Sequence, residues 1–166
     1  KPDAEGFVRR WTLLEPIDKP NPTNTVFTDS YLREHFYMEY FPEQFSIIPR
    51  NGQRVKVGDQ RLTWHTMDSE RYNIKLFRFA DALNKRLYGV LFWGVTIIDC
   101  PEEITDVRLS VGSNSASMWW VNGEEVLLLS GDRRMVRDDA VSNRLTLKKG
   151  HNIIRGAVIN GPGMSD

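Results

Sequence analysis

Apolar and polar residues alternate along most of this chain, which is the pattern of β-strands that turn one face to a core. In Ile104–Val111 every second residue is apolar from Val107 onward, and this predicts a half-buried strand with one wet face. Tyr72–Phe79 alternates in a similar way, so we predict a strand there as well. Tyr88–Ile98 is a long β-rich apolar run, which predicts a central strand buried on both faces.

Turn signals divide the chain into short segments. Asn122-Gly123 lies between two apolar runs and predicts a tight hairpin, because both residue types accept positive φ. One helix is predicted over Ser30–Tyr40, where apolar residues recur at helical spacing. About nine to eleven short strands separated by regular turns predict an all-β sandwich. The predicted strands are Phe7–Leu14, Phe45–Ile48, Arg54–Val57, Arg61–Thr66, Tyr72–Phe79, Tyr88–Ile98, Ile104–Val111, Ser117–Val121, Glu125–Leu129, Arg144–Leu147 and Asn152–Ile159.

Composition narrows the class of protein. The chain has 166 residues with 22 basic and 22 acidic side chains, so its formal net charge is zero. We therefore expect a single β-sandwich domain over residues 1–166, and we do not expect a nucleic-acid partner, since binding phosphates requires a basic surface. No apolar stretch reaches the about 20 residues that cross a bilayer, so no membrane partner is expected. The single cysteine excludes an internal disulfide and a multi-thiolate zinc site.

The sequence lacks the motifs of common catalytic sites. It has no Gly-x-Ser-x-Gly elbow, no His-Glu-x-x-His and no phosphate-binding loop. His151 follows Lys-Lys-Gly and is expected at the surface, whereas His35 is expected to pack on the predicted helix. His65 precedes Asp68 by three residues, so a small hydrolase that uses this pair is the least favoured of the functions considered. No catalytic residue is assigned.

Other reactive or metal-binding groups give weak signals. Cys100 precedes Pro101 at a strand end and is predicted to be an inert, partly buried thiol. Adjacent carboxylates such as Glu102-Glu103 are expected to be solvated, because neighbouring residues on a strand point to opposite faces. A structural calcium site at Asp138 and Asp139 is an alternative that no calcium-loop spacing supports, so no cofactor is predicted.

Residues 131–139 are dense in charge, with arginines interleaved among aspartates. A solvated loop with internal ion pairs is the first interpretation of this segment. A surface for a polar ligand or partner is the second, because the guanidinium groups of Arg133 and Arg134 suit carboxylates and hydroxyls.

Five tryptophans point to sugar binding as a function. Sugars have apolar C–H faces and hydroxyl edges, so flat rings surrounded by polar side chains bind them well. Trp11 and Trp93 lie inside β-rich runs and are predicted to be core residues. Trp119 and Trp120 must point to opposite faces of their sheet, so Trp120 is either a platform for a ligand or a ring covered by a loop. Trp64, which precedes a polar stretch, is the other candidate platform.

Two segments carry a resemblance to a known family. Ser117-Met-Trp-Trp-Val-Asn-Gly-Glu-Glu-Val126 resembles the strand–turn–strand of galactose-binding-like jelly-roll domains, such as the sugar-binding domain of glycoside hydrolase family two. Leu147-Lys-Lys-Gly-His-Asn-Ile-Ile154 resembles their closing motif. In addition to these two segments, Phe7–Pro16 supports the resemblance, because it is similar to the first strand of modules attached to bacterial carbohydrate esterases and hydrolases. The main resemblance covers roughly residues 104–160.

The resemblance implies a jelly-roll β-sandwich of galactose-binding-like type that serves a bacterial carbohydrate-active enzyme, such as an acetyl xylan esterase or a glycoside hydrolase. It also implies secretion or a periplasmic location. The partners implied are a plant-type polysaccharide or oligosaccharide and the catalytic domain of the parent chain. Such jelly rolls continue with another strand after a segment like Ala157–Gly163, so we expect that the chain is a segment of a larger protein.

We therefore predict a non-catalytic carbohydrate-binding or supporting module. A structural or protein-interaction module without glycan affinity is the alternative. The expected ligand site combines stacking rings with side chains that bind hydroxyls. Its candidate residues are Trp64, His65, Asp68, Arg71, Asn114, Trp120, Arg133 and Arg134.

Overall fold

The computed structural model of the chain describes residues 2–3, 6–18, 29–70, 74–85, 90–112, 116–129 and 140–160. Within these ranges neither helix has the length and apolar character needed to cross a membrane. The elements, in chain order, are β1 (Arg10–Leu14), β2 (Ile17–Asp18), α1 (Asp29–Tyr37), β3 (Arg54–Val57), β4 (Gln60–Asp68), α2 (Leu76–Ala82), β5 (Val90–Cys100), β6 (Ile104–Val107), β7 (Ser110–Val111), β8 (Ala116–Val121), β9 (Glu124–Leu129), β10 (Ala140–Val141), β11 (Leu145–Leu147) and β12 (Gly150–Asn160).

One large antiparallel sheet organises the molecule. Seven of its eight strands lie in the order β3-β4-β1-β5-β12-β8-β9, and β2 also pairs with β5. The central strands β5 and β12 pair along their whole length, from Gly150 opposite Cys100 to Asn160 opposite Val90. The described residues add two small sheets, β7 with β10 and β6 with β11. The all-β, sandwich-like fold predicted from the sequence is thus confirmed.

The strand predicted over Tyr72–Phe79 is wrong where the structure describes it, because α2 occupies Leu76–Ala82. Leu76, Phe79 and Ala80 follow helical spacing and are all buried, so a helix buries them on one face. The described residues therefore contain a second helix besides α1. Helix α1 itself confirms the helix predicted over Ser30–Tyr40, although it ends at Tyr37.

Two further strand predictions are corrected by local backbone geometry. No strand forms at Phe45–Ile48, since the N–H groups of Ser46 and Ile47 donate to the Glu43 carbonyl at 3.0 and 2.8 Å in a turn. The strand predicted over Ile104–Val111 is divided into β6 and β7, which pair with different strands.

The Asn122-Gly123 hairpin forms as predicted between β8 and β9. The φ angles of the two residues are 49° and 84°, both in the left-handed region that this turn requires. The Asn122 side chain also ties the turn to β12, because its Oδ1 accepts from the backbone N–H of Ile153 at 2.9 Å. The turn therefore fixes both the hairpin and the neighbouring strand.

Asn152 holds the connection between β11 and β12 from inside. Its side chain is fully buried. The Oδ1 atom accepts from Asn122 Nδ2 at 2.9 Å and from the Lys148 N–H at 3.0 Å. The Nδ2 atom donates to the carbonyls of Lys148 at 2.9 Å and Gly150 at 3.2 Å. A buried amide with this many partners explains why asparagine occupies this position.

The large sheet buries residues on both faces. One face, which we name the α1 face, packs Leu91 and Trp93 of β5 against Leu32 and Phe36 of α1. The other, which we name the α2 face, carries the alternate residues of β5 and β12. On the α2 face, Phe92 packs with Phe79 of α2 at one end of the sheet. Toward the other end, residues of β5, β8 and β12 form a separate cluster with Leu147 of β11.

Candidate functional site

A cleft of about 640 Å³ lies on the α2 face, bounded by the large sheet on one side and by residues 104–112 and β11 on the other. This volume falls within the about 300–1,000 Å³ that is typical of small-molecule sites. Large apolar side chains dominate the walls. They include Phe7, Leu13, Leu76, Phe92, Val107, Leu109, Leu145, Leu147, Ile154 and Val158.

Two glycines lie beneath the side chains that form the floor of this cleft. Gly94 of β5 lies directly opposite Gly156 of β12, and both line the cleft. A Cβ added at Gly156 would lie 2.4, 2.7 and 2.9 Å from three carbons of the Trp119 ring. A Cβ added at Gly94 would lie 3.0 Å from Leu13 Cδ2 and 3.4 Å from Trp11 Cε3. Glycine at these two positions lets the side chains approach the sheet backbone closely.

The indole rings of Trp11 and Trp119 form an aromatic edge of the cleft. Both rings are only partly buried, and they meet edge to face with centroids 5.8 Å apart and planes at 74°. Trp119 Nε1 donates to Ser117 Oγ at 2.9 Å, and Trp11 Nε1 donates to the Val8 carbonyl at 3.0 Å. These bonds fix the orientation of both rings. The carbon surfaces of the rings are therefore what the cleft offers to a ligand.

Polar side chains lie at the rim. Arg108 and Ser110 line the cleft, and both are exposed. Asp99 also borders the cleft, but it neighbours Cys100 on β5, so its side chain points to the opposite face of the sheet. Asp99 Oδ1 lies 3.6 Å from Nδ1 of His151, another exposed residue. The Arg108 guanidinium offers several N–H donors to a hydroxyl-bearing group at this rim. The cleft thus joins an apolar interior to a polar rim.

The chain's single cysteine also borders the cleft. Cys100, predicted to be partly buried, is buried with 5% of its surface exposed. His151 lies opposite Asp99 in the sheet register, and residues that alternate along a strand point to opposite faces. His151 therefore points to the opposite face of the sheet from the Cys100 thiol.

Neither Trp64 nor Trp120 is an open platform; for Trp120 the structure shows the covered ring, one of the two alternatives. Their exposed fractions are 0% and 2%, because both rings lie in the core of the α1 face. Phe41 contacts Trp64 edge to face at 6.0 Å between centroids, and Phe45 contacts Trp120 at 5.5 Å. Trp120 Nε1 also donates to the Tyr37 hydroxyl at 3.4 Å. Neither ring presents a face to a ligand in this structure.

Buried Arg155 holds the segment that covers these rings. It lies on β12 with 3% of its surface exposed and donates through a guanidinium N–H to the carbonyl of Ile47. Burial lowers the pKa of the Arg155 guanidinium. Gln44 supports the same segment, since it accepts from the Tyr40 N–H at 2.7 Å and donates to the Met38 carbonyl at 3.0 Å.

The structure separates the pair that a hydrolase would need. His65 and Asp68 lie an odd number of residues apart on β4, so their side chains point to opposite faces. His65 Nε2 lies 3.2 Å from Glu15 Oε2, and its ring meets Phe79 at 5.7 Å. Asp68 instead lies 3.7 Å from Arg10 at the surface. The proposed use of His65 with Asp68 is therefore corrected, and neither residue borders the cleft.

The remaining candidate residues lie outside the part of the chain that the structure describes. They are Arg71, Asn114, Arg133 and Arg134, and the same holds for Asp138 and Asp139, the alternative calcium ligands. Within the described ranges, no group of three or more histidine, cysteine or carboxylate side chains is placed to hold a metal ion.

Sequence reasoning missed the residues that shape the cleft. Trp11 was predicted to be a core residue but is only partly buried, the choice between Trp119 and Trp120 was left open, and Gly94 and Gly156 received no role. Each glycine interrupts a β-rich run, and a glycine inside a strand often marks close approach of another group. That signal was available in the sequence. The pairing of the two glycines across β5 and β12 was not.

Comparison of the chain with family models, with curated proteins and with solved structures finds no match. The resemblance to galactose-binding-like modules accordingly stays a prediction from the two segments that carry it.

Proposed function

We propose that this chain is a non-catalytic carbohydrate-binding module that takes its ligand in the cleft of the α2 face. The observation that carries the proposal is the pair of half-buried indole rings, Trp11 and Trp119, held at fixed orientation beside a cleft of about 640 Å³. The C–H face of a sugar ring stacks on such a surface, as apolar faces stack on indole rings in general. The sugar hydroxyls then meet Arg108 at the rim.

Binding without catalysis is favoured by the chemistry of the lining. Apolar side chains and glycines form most of the lining. The Cys100 thiol also borders the cleft, but among the described residues no histidine lines the cleft to act as its general base. His65 lies away from the cleft and faces Glu15. The wider role that we propose is support of a secreted or periplasmic bacterial enzyme, such as an acetyl xylan esterase or a glycoside hydrolase. This role, with jelly-roll connectivity, rests on the family resemblance.

A titration tests the binding proposal. The chain is titrated with oligosaccharide fragments of xylan, pectin and galactan, and heat and chemical shifts are recorded. We expect weak binding by at least one fragment and its loss in Trp119→Leu. Met38→Ala is the matched control, because Met38 is 42% exposed on the α1 side of the sheet. Absence of both heat and shift changes with every fragment would reject carbohydrate binding.

A protein-interaction module without glycan affinity is the second candidate function. The apolar character of the cleft walls favours it, since an exposed apolar surface often marks a site where another protein docks. The same titration separates the two functions. A docking module gives no response to any glycan, whereas a carbohydrate-binding module responds through Trp119.

A further inference from the structure

The interior of the cleft has few ways to satisfy a hydroxyl group. Gly94 and Gly156 offer no side chain, and their strands pair with each other through the backbone. The indole N–H groups of Trp11 and Trp119 already donate to Val8 and Ser117. A sugar hydroxyl placed there would lose its water without gaining a partner, and such a loss is unfavourable. The interior therefore selects an apolar group.

The rim has the opposite character. The described lining residues with charged or hydroxyl side chains are Asp99, Arg108 and Ser110, and all of them are exposed. Asp99 points to the opposite face of the sheet from Cys100, so Arg108 is the charged group that faces a ligand at the rim. A ligand that satisfies both regions has an apolar part for the interior and a hydroxyl-bearing part for the rim. A plain oligosaccharide satisfies only the rim and the aromatic edge.

We infer that the preferred ligand of the cleft is a glycan or glycoside that carries an apolar substituent, such as an aryl or acyl group. The substituent lies in the apolar interior against the partly exposed rings of Trp11 and Trp119, which cover Gly94 and Gly156, and the sugar lies at the rim beside Arg108. This inference rests on the proposed carbohydrate-binding function and names the ligand class for the same site. It explains why the aromatic edge stands beside an apolar cleft and not on an open polar surface.

A matched set of small probes tests the inference. Phenyl β-D-galactoside and phenyl β-D-xyloside are compared by calorimetric titration with the corresponding methyl glycosides and with phenol. We expect each phenyl glycoside to bind at least ten-fold more tightly than its methyl counterpart and than phenol. Trp119→Leu should remove the advantage of the phenyl group. Arg108→Ala should weaken phenyl and methyl glycosides by the same factor and leave that advantage intact.

Cys100 supplies a second readout that needs no variant in the binding residues. Because this thiol borders the cleft, a bound phenyl glycoside should slow its reaction with a thiol reagent several-fold. Arg54→Ala, a change on the edge strand β3, is the control for all titrations, and unfolding curves confirm that each variant is folded.

Each outcome has a separate meaning. Equal binding of phenyl and methyl glycosides, or of oligosaccharide fragments without any gain from the phenyl group, overturns the inference and leaves the proposed function standing. Phenol binding as tightly as the phenyl glycosides overturns the inference, because the rim then contributes nothing. Phenyl glycoside binding that leaves Cys100 reactivity unchanged places the site elsewhere and also overturns it. If no glycoside and no oligosaccharide binds, the proposed function and the inference both fail.

Discussion

Replacing Gly156 by alanine tests how the floor of the cleft is built. The added Cβ would lie 2.4 Å from Trp119 Cζ3, whereas carbon atoms in contact normally lie about 3.5–4.0 Å apart. The Trp119 ring must therefore move by about 1 Å or more, away from its hydrogen bond to Ser117. Overpacking of this kind costs about 1–3 kcal/mol. Alanine also restricts the unfolded chain more than glycine does, and this offsets about 0.4–1 kcal/mol of the overpacking cost.

We therefore expect Gly156→Ala to lower the free energy of unfolding by about 1–2 kcal/mol, measured by urea denaturation at constant m. The sharper test is a double-mutant cycle with Trp119→Leu. If the loss of stability arises from the contact with the indole ring, Gly156→Ala should cost close to nothing in the Trp119→Leu protein. The coupling energy between the two substitutions is then on the order of 1–2 kcal/mol. Gly94→Ala is the matched control and should cost less, because its nearest contact is the flexible end of Leu13 at 3.0 Å.

The reasoning fails if Gly156→Ala costs the same in both backgrounds, since the strain then lies in the sheet and not in the contact with Trp119. It also fails if the substitution leaves the urea midpoint of the wild-type background unchanged.

Three further changes have defined outcomes. Asn152→Ala leaves buried carbonyls of the β11–β12 connection unpaired and should lower the free energy of unfolding by about 2–4 kcal/mol in urea denaturation, while Asn143→Ala at the surface should change it by less than about 0.5 kcal/mol. Burial, followed by the charge of Tyr31, raises the pKa of Tyr40 to about 12, so the unfolded chain loses this proton first and stability should fall as pH rises from about 10 to about 12. Urea midpoints across this range should fall less steeply in Tyr40→Phe, and equal slopes would contradict the assignment. Esterase turnover is measured for the wild type and for His65→Ala, and we expect no turnover that depends on His65. Turnover in the wild type that is lost in His65→Ala would restore the hydrolase hypothesis.

Local turn chemistry and alternation predicted much of the sheet. The Asn122-Gly123 hairpin and strands β5 and β12 follow from residues that are close together in the sequence. The failure at Leu76–Ala82 has a physical reason. The apolar residues there fit both the alternation of a strand and the spacing of a helix. Packing of Phe79 against Phe92 on the α2 face favours the helix.

The site was harder to predict than the fold. Alternation correctly placed Trp119 and Trp120 on opposite faces, but which ring stays open depends on what covers each face. Helix α1 and the segment held by Arg155, both far away in the sequence, cover Trp120. The close packing of the Trp11 and Trp119 rings on the sheet needs Gly94 opposite Gly156, a register that no local pattern contains.

The indole N–H signals of the five tryptophans give the most direct test of the central claim that ligand enters the cleft of the α2 face. The chain, labelled with ¹⁵N, is titrated with phenyl β-D-galactoside and with the oligosaccharide fragment that binds best. The account predicts that the signals of Trp11 and Trp119 shift with ligand concentration, while those of buried Trp64 and Trp120 stay in place. Shifts confined to Trp64 and Trp120, with Trp11 and Trp119 unchanged, would contradict it.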